Sequence, residues 1–83
     1  MPEVCNLYGM SIKLIWKDHL PKHVHVFIGR NETKVTFEGY VLSGKLPPDK
    51  LRVLREWLIK RQTELNDNWE KVIRMEPIER IEP

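Results

Sequence analysis

Hydrophobic and polar positions alternate along the first half of the chain, as they do in β-strands that bury one face. Four segments show this alternation, the last of them short: residues 10–17, 23–28, 32–38 and 40–42. The glycine and asparagine of Gly29-Arg30-Asn31 tolerate a positive φ, which predicts a hairpin between the second and third segments. We therefore expect an antiparallel sheet of three or four strands within about residues 8–43.

The alternation also divides the side chains between the two faces of the sheet, because successive residues of a strand point to opposite sides. One face receives the apolar side chains of the first two segments: Met10, Ile12, Leu14, Trp16, Val24, Val26 and Ile28. The opposite face of the second segment receives His23, His25 and Phe27. The histidines are therefore expected on the less buried face of the sheet.

The hydrophobic period changes to that of a helix in the second half of the chain. At about 100° per residue, six side chains fall on one side of such a helix: Leu51, Leu54, Leu58, Leu65, Trp69 and Val72. Pro47 and Pro48 suit a first helical turn, and Asp49 complements the helix dipole there. Because the stripe keeps its phase, we expect one long helix from about Pro48 to Arg74, although residues 66–68 form helices weakly. An extended tail, residues 75–83, follows.

These elements predict a single α+β domain over residues 1–83, with the sheet packed by one long C-terminal amphipathic helix. Eighty-three residues are too few for a second domain, and 41% hydrophobic residues are enough for one core. The single cysteine, Cys5, excludes an internal disulfide, which favours a reducing, cytoplasmic location. Since no apolar run approaches about 18 residues, we expect no membrane span.

The length of the predicted helix points to a partner. A helix from Pro48 to Arg74 would measure about 40 Å, against about 25 Å for an eight-residue strand. Its far end would overhang the sheet and leave four apolar side chains uncovered: Leu65, Trp69, Val72 and Ile73. Such surfaces usually bind another protein. We therefore expect a homodimer or a hetero-complex with a small protein.

Positive charge is concentrated at the start of the predicted helix. Residues 49–61 carry five basic and two acidic side chains, although the whole chain has a net charge of only +2. Lys50, Arg52 and Arg55 are candidates for binding the phosphates of a nucleic acid. The alternative is that these side chains form the solvated side of an amphipathic helix.

All three histidines lie within seven residues, in Asp18-His19-Leu20-Pro21-Lys22-His23-Val24-His25. Positions i and i+2 of a strand share a face with Cα atoms about 6.5 Å apart, so His23 and His25 are candidate ligands of one divalent metal ion such as zinc. His19 or Asp18 would supply a third ligand. The alternative is structural: the rings pack on the sheet and hydrogen-bond the turn.

A second chemical interpretation makes His23 or His25 the general acid or base of a phosphodiester cleavage, with Lys22 or Arg30 holding the phosphate. The sequence has no phosphate-binding glycine-rich loop, GxSxG, CxxC or HExxH motif. The histidine cluster is therefore the only sequence argument for an enzyme, and it leaves the question open.

The chain resembles a small prokaryotic family, the domain of unknown function 4160, over roughly Pro2 to Pro83. The motifs that carry the resemblance are Tyr8-Gly9, Asp18-His19-x-Pro21-x-His23-x-His25-Val26, Gly44-Lys45-Leu46-Pro47, Leu51, Arg55-Glu56-Trp57 and Asn68-Trp69. Members often have two prolines where this chain has Pro21-Lys22. The resemblance implies a bacterial cytoplasmic protein, commonly encoded beside a second small protein in an arrangement similar to a toxin-antitoxin pair.

Two functions follow as hypotheses. The first is an interaction module, one member of a toxin-antitoxin-like two-gene unit that acts through a protein partner encoded nearby. The alternative is a small histidine- or metal-dependent nuclease or hydrolase that uses His19, His23 and His25.

Overall fold

The structure, a computed structural model, describes residues 3–15 and 20–83. Within these residues, five strands form one antiparallel sheet in chain order and two helices follow. The elements are β1 (Glu3–Leu7), β2 (Met10–Lys13), β3 (His23–Ile28), β4 (Asn31–Thr36), β5 (Val41–Ser43), α1 (Pro48–Lys60) and α2 (Gln62–Ile73). The α+β class is confirmed. The number of strands and the single helix are not.

The strand that the sequence did not predict is β1, which pairs with β2 at one edge of the sheet. Its register shifts between Glu3 and Cys5, so Val4 and Cys5 are both buried although they are consecutive. A bulge of this kind removes the period of two that identifies a strand. Tyr8 and Gly9, both with positive φ, turn the chain from β1 into β2.

The face of the sheet that was predicted to be apolar forms the core. The buried apolar side chains on β2, β3 and β4 and just beyond are Met10, Ile12, Leu14, Val24, Val26, Val35 and Phe37. They pack in one cluster with Leu54, Trp57, Leu58, Leu65, Trp69 and Val72 from the helices. Trp16, which was predicted for the same face, lies outside the described residues. The alternation therefore identified the core side of the sheet correctly.

The predicted single helix is wrong, because the chain leaves helical geometry at Arg61 (φ −110°, ψ 25°). A continuous helix of about 40 Å would be longer than the molecule, whose greatest extent is 33 Å. The side-chain amide of Gln62 donates hydrogen bonds to the carbonyls of Phe37 (2.7 Å) and Leu58 (2.9 Å), which fixes the junction to the end of β4. The break lies before Asn66, where weak helix formers begin.

The break also corrects the expected overhang. Leu65, Trp69 and Val72 are buried in the chain's own core, in one cluster with side chains of the sheet and of α1. Ile73 is the exception, at 60% exposed. An uncovered apolar surface made of these four side chains does not exist, and a partner surface has to be sought elsewhere.

The tail that follows α2 is extended and packed on the domain. The amide of Ile81 donates a hydrogen bond to the carbonyl of Val4 (2.7 Å), so the tail lies along the outer side of β1. The Asn68 side chain exchanges two hydrogen bonds with the backbone of Glu79, and the Trp57 indole donates to the carbonyl of Glu82. These contacts close one edge of the sheet.

In the described part of the chain, neither helix combines the length and the apolar content that crossing a bilayer would require.

Candidate functional site

The two histidines of β3 lie side by side on the face of the sheet opposite the valines of the core. The centroids of the His23 and His25 rings are 5.0 Å apart and their planes are inclined by 51°. His23 is 7% and His25 3% exposed. The predicted common face is confirmed, but both rings are almost completely buried, although this was expected to be the less buried face of the sheet.

An oxygen atom accepts a hydrogen bond from Nδ1 of each ring. His23 Nδ1 lies 2.8 Å from the carbonyl oxygen of Pro21, and His25 Nδ1 lies 2.6 Å from Glu32 Oε2. Because a carbonyl or carboxylate oxygen only accepts, Nδ1 must carry the proton in both rings. In a neutral ring the lone pair is then on Nε2, the atom that would accept a proton or bind a metal ion.

Glu32 is a member of the site that the sequence analysis missed. The hairpin between β3 and β4 pairs Phe27 with Glu32 and His25 with Lys34. Glu32 is thus diagonal to His25 on the same face, within reach of a long side chain. The hairpin prediction contained this information, because a turn at residues 29–30 fixes the register that brings the two side chains together.

Gly44, from the family motif Gly44-Lys45-Leu46-Pro47, supports the same region. Its φ is +82°, and a Cβ at this position would lie 2.5 Å from the carbonyl oxygen of Glu32. The Thr33 hydroxyl donates a hydrogen bond to the carbonyl of Lys45 (3.0 Å). The turn at Gly44 therefore packs against β4 at Glu32, the residue whose carboxylate is bonded to His25.

The other side of the pair is in contact with α2. The ring centroid of His23 lies 6.0 Å from that of Trp69, which in turn packs edge-on against Phe37 at 5.7 Å. Lys22 donates a hydrogen bond to the Asn66 side chain (2.7 Å), which attaches the start of β3 to the same helix. The helix thus fixes the position of one histidine, and β4 fixes the other.

The predicted third and fourth metal ligands, Asp18 and His19, lie outside the described residues. Among the described residues, no three His, Cys, Asp or Glu side chains are grouped closely enough to hold an ion. Of the four predicted metal ligands, His23 and His25 are thus the two that the described residues include.

Lys22 and Arg30 were predicted as alternatives for holding a phosphate beside the histidines. Lys22 is adjacent to His23 but is bonded to Asn66, as described above. Arg30 lies in the turn at the far end of β3. Of the two alternatives, Lys22 is thus the one next to the histidine pair in sequence, and a phosphate site stays a prediction.

The basic residues of α1 have a structural role that the sequence did not indicate. Lys50 Nζ donates a hydrogen bond to the carbonyl of Tyr8 (2.8 Å), and Arg55 Nε donates one to the carbonyl of Gly39 (2.9 Å). These bonds attach α1 to the turns that flank the sheet, while Arg52 is exposed. Binding of nucleic acid by Lys50, Arg52 and Arg55 stays a prediction.

Cys5 is not a candidate nucleophile. The thiol is buried in β1, and burial raises its pKa above the ordinary value of 9.0. A thiol needs the opposite shift to react as thiolate near neutral pH.

Comparison with known proteins gave one result. The family model of the Domain of unknown function (DUF4160) matches residues 9–70, from the turn before β2 into α2. Neither the curated proteins nor the solved structures contain a match. The matched region includes the histidine pair, Glu32 and the Gly44 turn, whereas β1 and the tail that covers it lie outside it. Since the match spans most of the sequence, the chain belongs to the family described as Domain of unknown function (DUF4160).

Proposed function

We propose that this protein is an interaction module that binds a small partner protein at the β5 edge of its sheet, as one member of a toxin-antitoxin-like two-gene unit. The observation that carries the proposal is the difference between the two edges. The outer side of β1 is covered by the chain's own tail, through the bond from Ile81 to Val4. The outer side of β5 has no neighbouring strand among the described residues.

The β5 edge has the chemistry of a docking strand. All three of its residues are exposed and uncharged, and Leu42 is 47% exposed. Tyr40, directly before the strand, is also exposed. Edge strands of soluble proteins are usually protected by charge, proline or a covering segment, because their unpaired backbone groups attract other strands. An uncharged, apolar edge fits a partner that adds a strand of its own.

The β5 edge also indicates how a partner would bind. Backbone hydrogen bonds to β5 would provide affinity, and apolar side chains of the added strand would pack against Tyr40 and Leu42. The sequence resemblance to proteins commonly encoded beside a second small protein makes that neighbour the partner to test. A second copy of this chain is the competing occupant.

A binding experiment separates these occupants. The chain is co-expressed with the product of the adjacent gene, and co-purification is measured for the wild type, Leu42→Lys and Ile59→Lys. Ile59 is exposed on α1, outside β5, and is the matched control. We expect the wild type and Ile59→Lys to retain the partner and Leu42→Lys to lose it. Retention by Leu42→Lys, or a homodimer that Leu42→Lys dissociates, would overturn the proposal.

A growth experiment tests the two-gene unit itself. One of the two proteins, expressed alone, should slow growth, and co-expression should restore it. Leu42→Lys should remove the restoration, since it removes the complex. If neither protein alone affects growth, the toxin-antitoxin part of the proposal fails even where the complex forms.

The alternative, a small histidine-dependent nuclease or hydrolase, has one observation in its favour. The Glu32 carboxylate orients His25 as an acidic residue orients the histidine of a catalytic triad. Against it stands the burial of both rings, since a general base must reach the substrate. We therefore rank it second. Cleavage of RNA that disappears in His25→Ala would reverse this order.

A further inference from the structure

We propose that the strand which a partner adds to β5 is acidic, with carboxylates that pair with Lys34, Lys45 and Arg55 around this edge. The charge of the partner is inferred for the same site and so depends on the proposed function. Three observations support it: the positions of these cations, the absence of charge on β5 itself, and the ion pairs of the other described residues.

Lys34 lies beside the edge on the sheet face that carries the histidines. It is on β4, directly opposite Ser43 of β5 and His25 of β3, and directly opposite residues of antiparallel strands share a face. An added strand would lie two strand spacings from β4, about 10 Å away. Because the serine between them is small, a lysine and a glutamate side chain together can span this distance.

Arg55 lies beside the same edge on the opposite face. It belongs to α1, which packs on the core face, and its Nε donates a hydrogen bond to the carbonyl of Gly39 (2.9 Å). A Cβ at Gly39 would lie 3.0 Å from Arg55 Cγ, so the arginine lies against the turn that leads into Tyr40 and β5. Arg55 is nevertheless exposed. The β5 edge therefore has a cation on each face of the sheet.

Lys45 is the third cation and follows β5 in the chain. It is exposed, and the hydrogen bond from the Thr33 hydroxyl to its carbonyl fixes its backbone beside β4. The strand β5 carries no charged residue. Charges that flank a strand leave its backbone groups open to pairing, and they favour a partner of the opposite charge.

The ion pairs of the described residues involve other side chains. Apart from the bond between His25 and Glu32, they join Arg61 with Glu64, Lys71 with Glu79, Arg74 with Glu70 and Glu76, and Arg80 with Glu3. Lys34, Lys45 and Arg55 form no ion pair with a described residue. Their charges are therefore available to carboxylates of another chain.

Acidic side chains near β5 offset only part of this charge. Glu32 is two positions from Lys34 on the same face, but its carboxylate is bonded to His25. Glu38 is exposed in the turn between β4 and β5. On the helix side, residues 49–61 add five basic and two acidic side chains. The surroundings of β5 are thus positively charged, which favours an acidic strand over a basic one.

The first test measures the affinity of the wild-type chain for three synthetic peptides of about nine residues, a common strand length. They share an apolar centre and carry glutamate, glutamine or lysine at the flanking positions. We expect the glutamate peptide to bind most tightly and the lysine peptide most weakly, with a smaller difference at high salt. Equal affinities would overturn the acidic partner and leave β5 as a docking edge. If no peptide binds, this proposal fails together with the proposed function.

Variants locate the peptide and the charge that attracts it. Leu42→Glu should abolish binding of the glutamate peptide, and unchanged binding would place the peptide elsewhere and overturn the proposal. Lys34→Gln should weaken binding about two- to fivefold, as expected for an exposed ion pair. Lys13→Gln is the matched control, because Lys13 is opposite His25 on the same face. It lies four strand spacings from an added strand, about 19 Å, where salt screens its charge.

Equal effects of Lys34→Gln and Lys13→Gln would mean that the peptide responds to the net charge of the whole chain, and the proposal would be wrong. Single-stranded oligouridine, titrated in the same way, tests whether these cations bind phosphate instead. Weaker binding of this RNA by Lys34→Gln, with unchanged affinity for the glutamate peptide, would replace the acidic partner with a nucleic acid.

Discussion

At the scale of single residues, Gly44 and His25 belong to one structural unit although nineteen positions separate them. The absence of a Cβ at Gly44 lets its turn lie against the carbonyl of Glu32, and the carboxylate of Glu32 accepts a hydrogen bond from His25 Nδ1. Two family motifs that look unrelated in the sequence therefore meet at one residue of β4. The first is the histidine segment and the second is the Gly-Lys-Leu-Pro turn.

Gly44→Ala should destabilise the protein more than Gly29→Ala. Both glycines have a positive φ, which costs another residue about 1 to 2 kcal/mol. At Gly29 a Cβ meets nothing within 4 Å, so we expect Gly29→Ala to cost only this backbone strain. At Gly44 the overlap with the Glu32 carbonyl adds about 1 to 3 kcal/mol, the usual range for overpacking.

Urea unfolding of the two variants measures the difference, and the ring resonances of His25 report whether Glu32 has moved. Equal destabilisation by Gly44→Ala and Gly29→Ala would mean that the turn yields without disturbing β4. The link between the two motifs would then be incidental.

The residues of the site were predictable to different degrees. His23 and His25 share a face because a strand has a period of two, and the sequence displays that period. Glu32 required the register of the hairpin as well. The burial of the rings was not predictable, because it depends on what lies over the second face of the sheet, and alternation describes only one strand at a time.

At the scale of elements, the break between α1 and α2 shows what helical periodicity can establish. The buried residues of α1 and α2 remain on one stripe across Arg61. The stripe identified the core side of both helices correctly. It contained no information about the direction of the helix axis, which changes where one residue leaves helical geometry. The backbone conformation of Arg61, and not the pattern, excludes the continuous helix.

The strand β1 and the packing of the tail against it were missed for a related reason. Each is short, β1 contains a bulge, and the tail has no regular secondary structure. Their stability comes from contact with each other, which sequence patterns within either segment do not show. The amide of Ile81 pairs with Val4, and the isoleucine side chain is buried in the core.

Ile81→Ala should therefore lower the free energy of unfolding by about 2 to 5 kcal/mol, the range for replacing a buried isoleucine with alanine. Ile81 is 5% exposed, whereas Ile73 is 60% exposed and serves as the matched control. Ile73→Ala should change the free energy of unfolding by less than about 0.5 kcal/mol. Urea denaturation of both variants measures these changes in the free energy of unfolding. Similar values for both would show that the tail does not contribute to the core.

At the scale of the whole molecule, the two ends of the chain are joined. Arg80 Nη1 lies 3.0 Å from the carboxylate of Glu3, and the Ser11 hydroxyl of the neighbouring strand donates a hydrogen bond to the same carboxylate. The tail thus lies against β1, whereas in the described part of the chain no strand lies beside the outer side of β5. This difference between the two edges is the reason for proposing β5 as the partner site.

The same carboxylate makes the stability of the protein depend on pH. The hydrogen bond from Ser11, and then the contact with Arg80, lower the pKa of Glu3 below its ordinary value of 4.5. A lowered pKa in the folded state means that this stabilisation is complete above pH 4.5. It is lost as the pH falls through the folded-state pKa, because the unfolded chain binds the proton first.

We expect Glu3→Gln to remove this part of the acid-induced loss of stability. Ser11→Ala should reduce it, since Ser11 is the largest cause of the shift. In the Glu3→Gln background, Ser11→Ala should change the free energy of unfolding by the same amount at every pH, because no carboxylate remains at residue 3 to be protonated. The measurement is the free energy of unfolding in urea from neutral pH to below pH 4.5 for the four proteins. If the curve of Glu3→Gln runs parallel to that of the wild type, the joined ends do not contribute to the acid sensitivity.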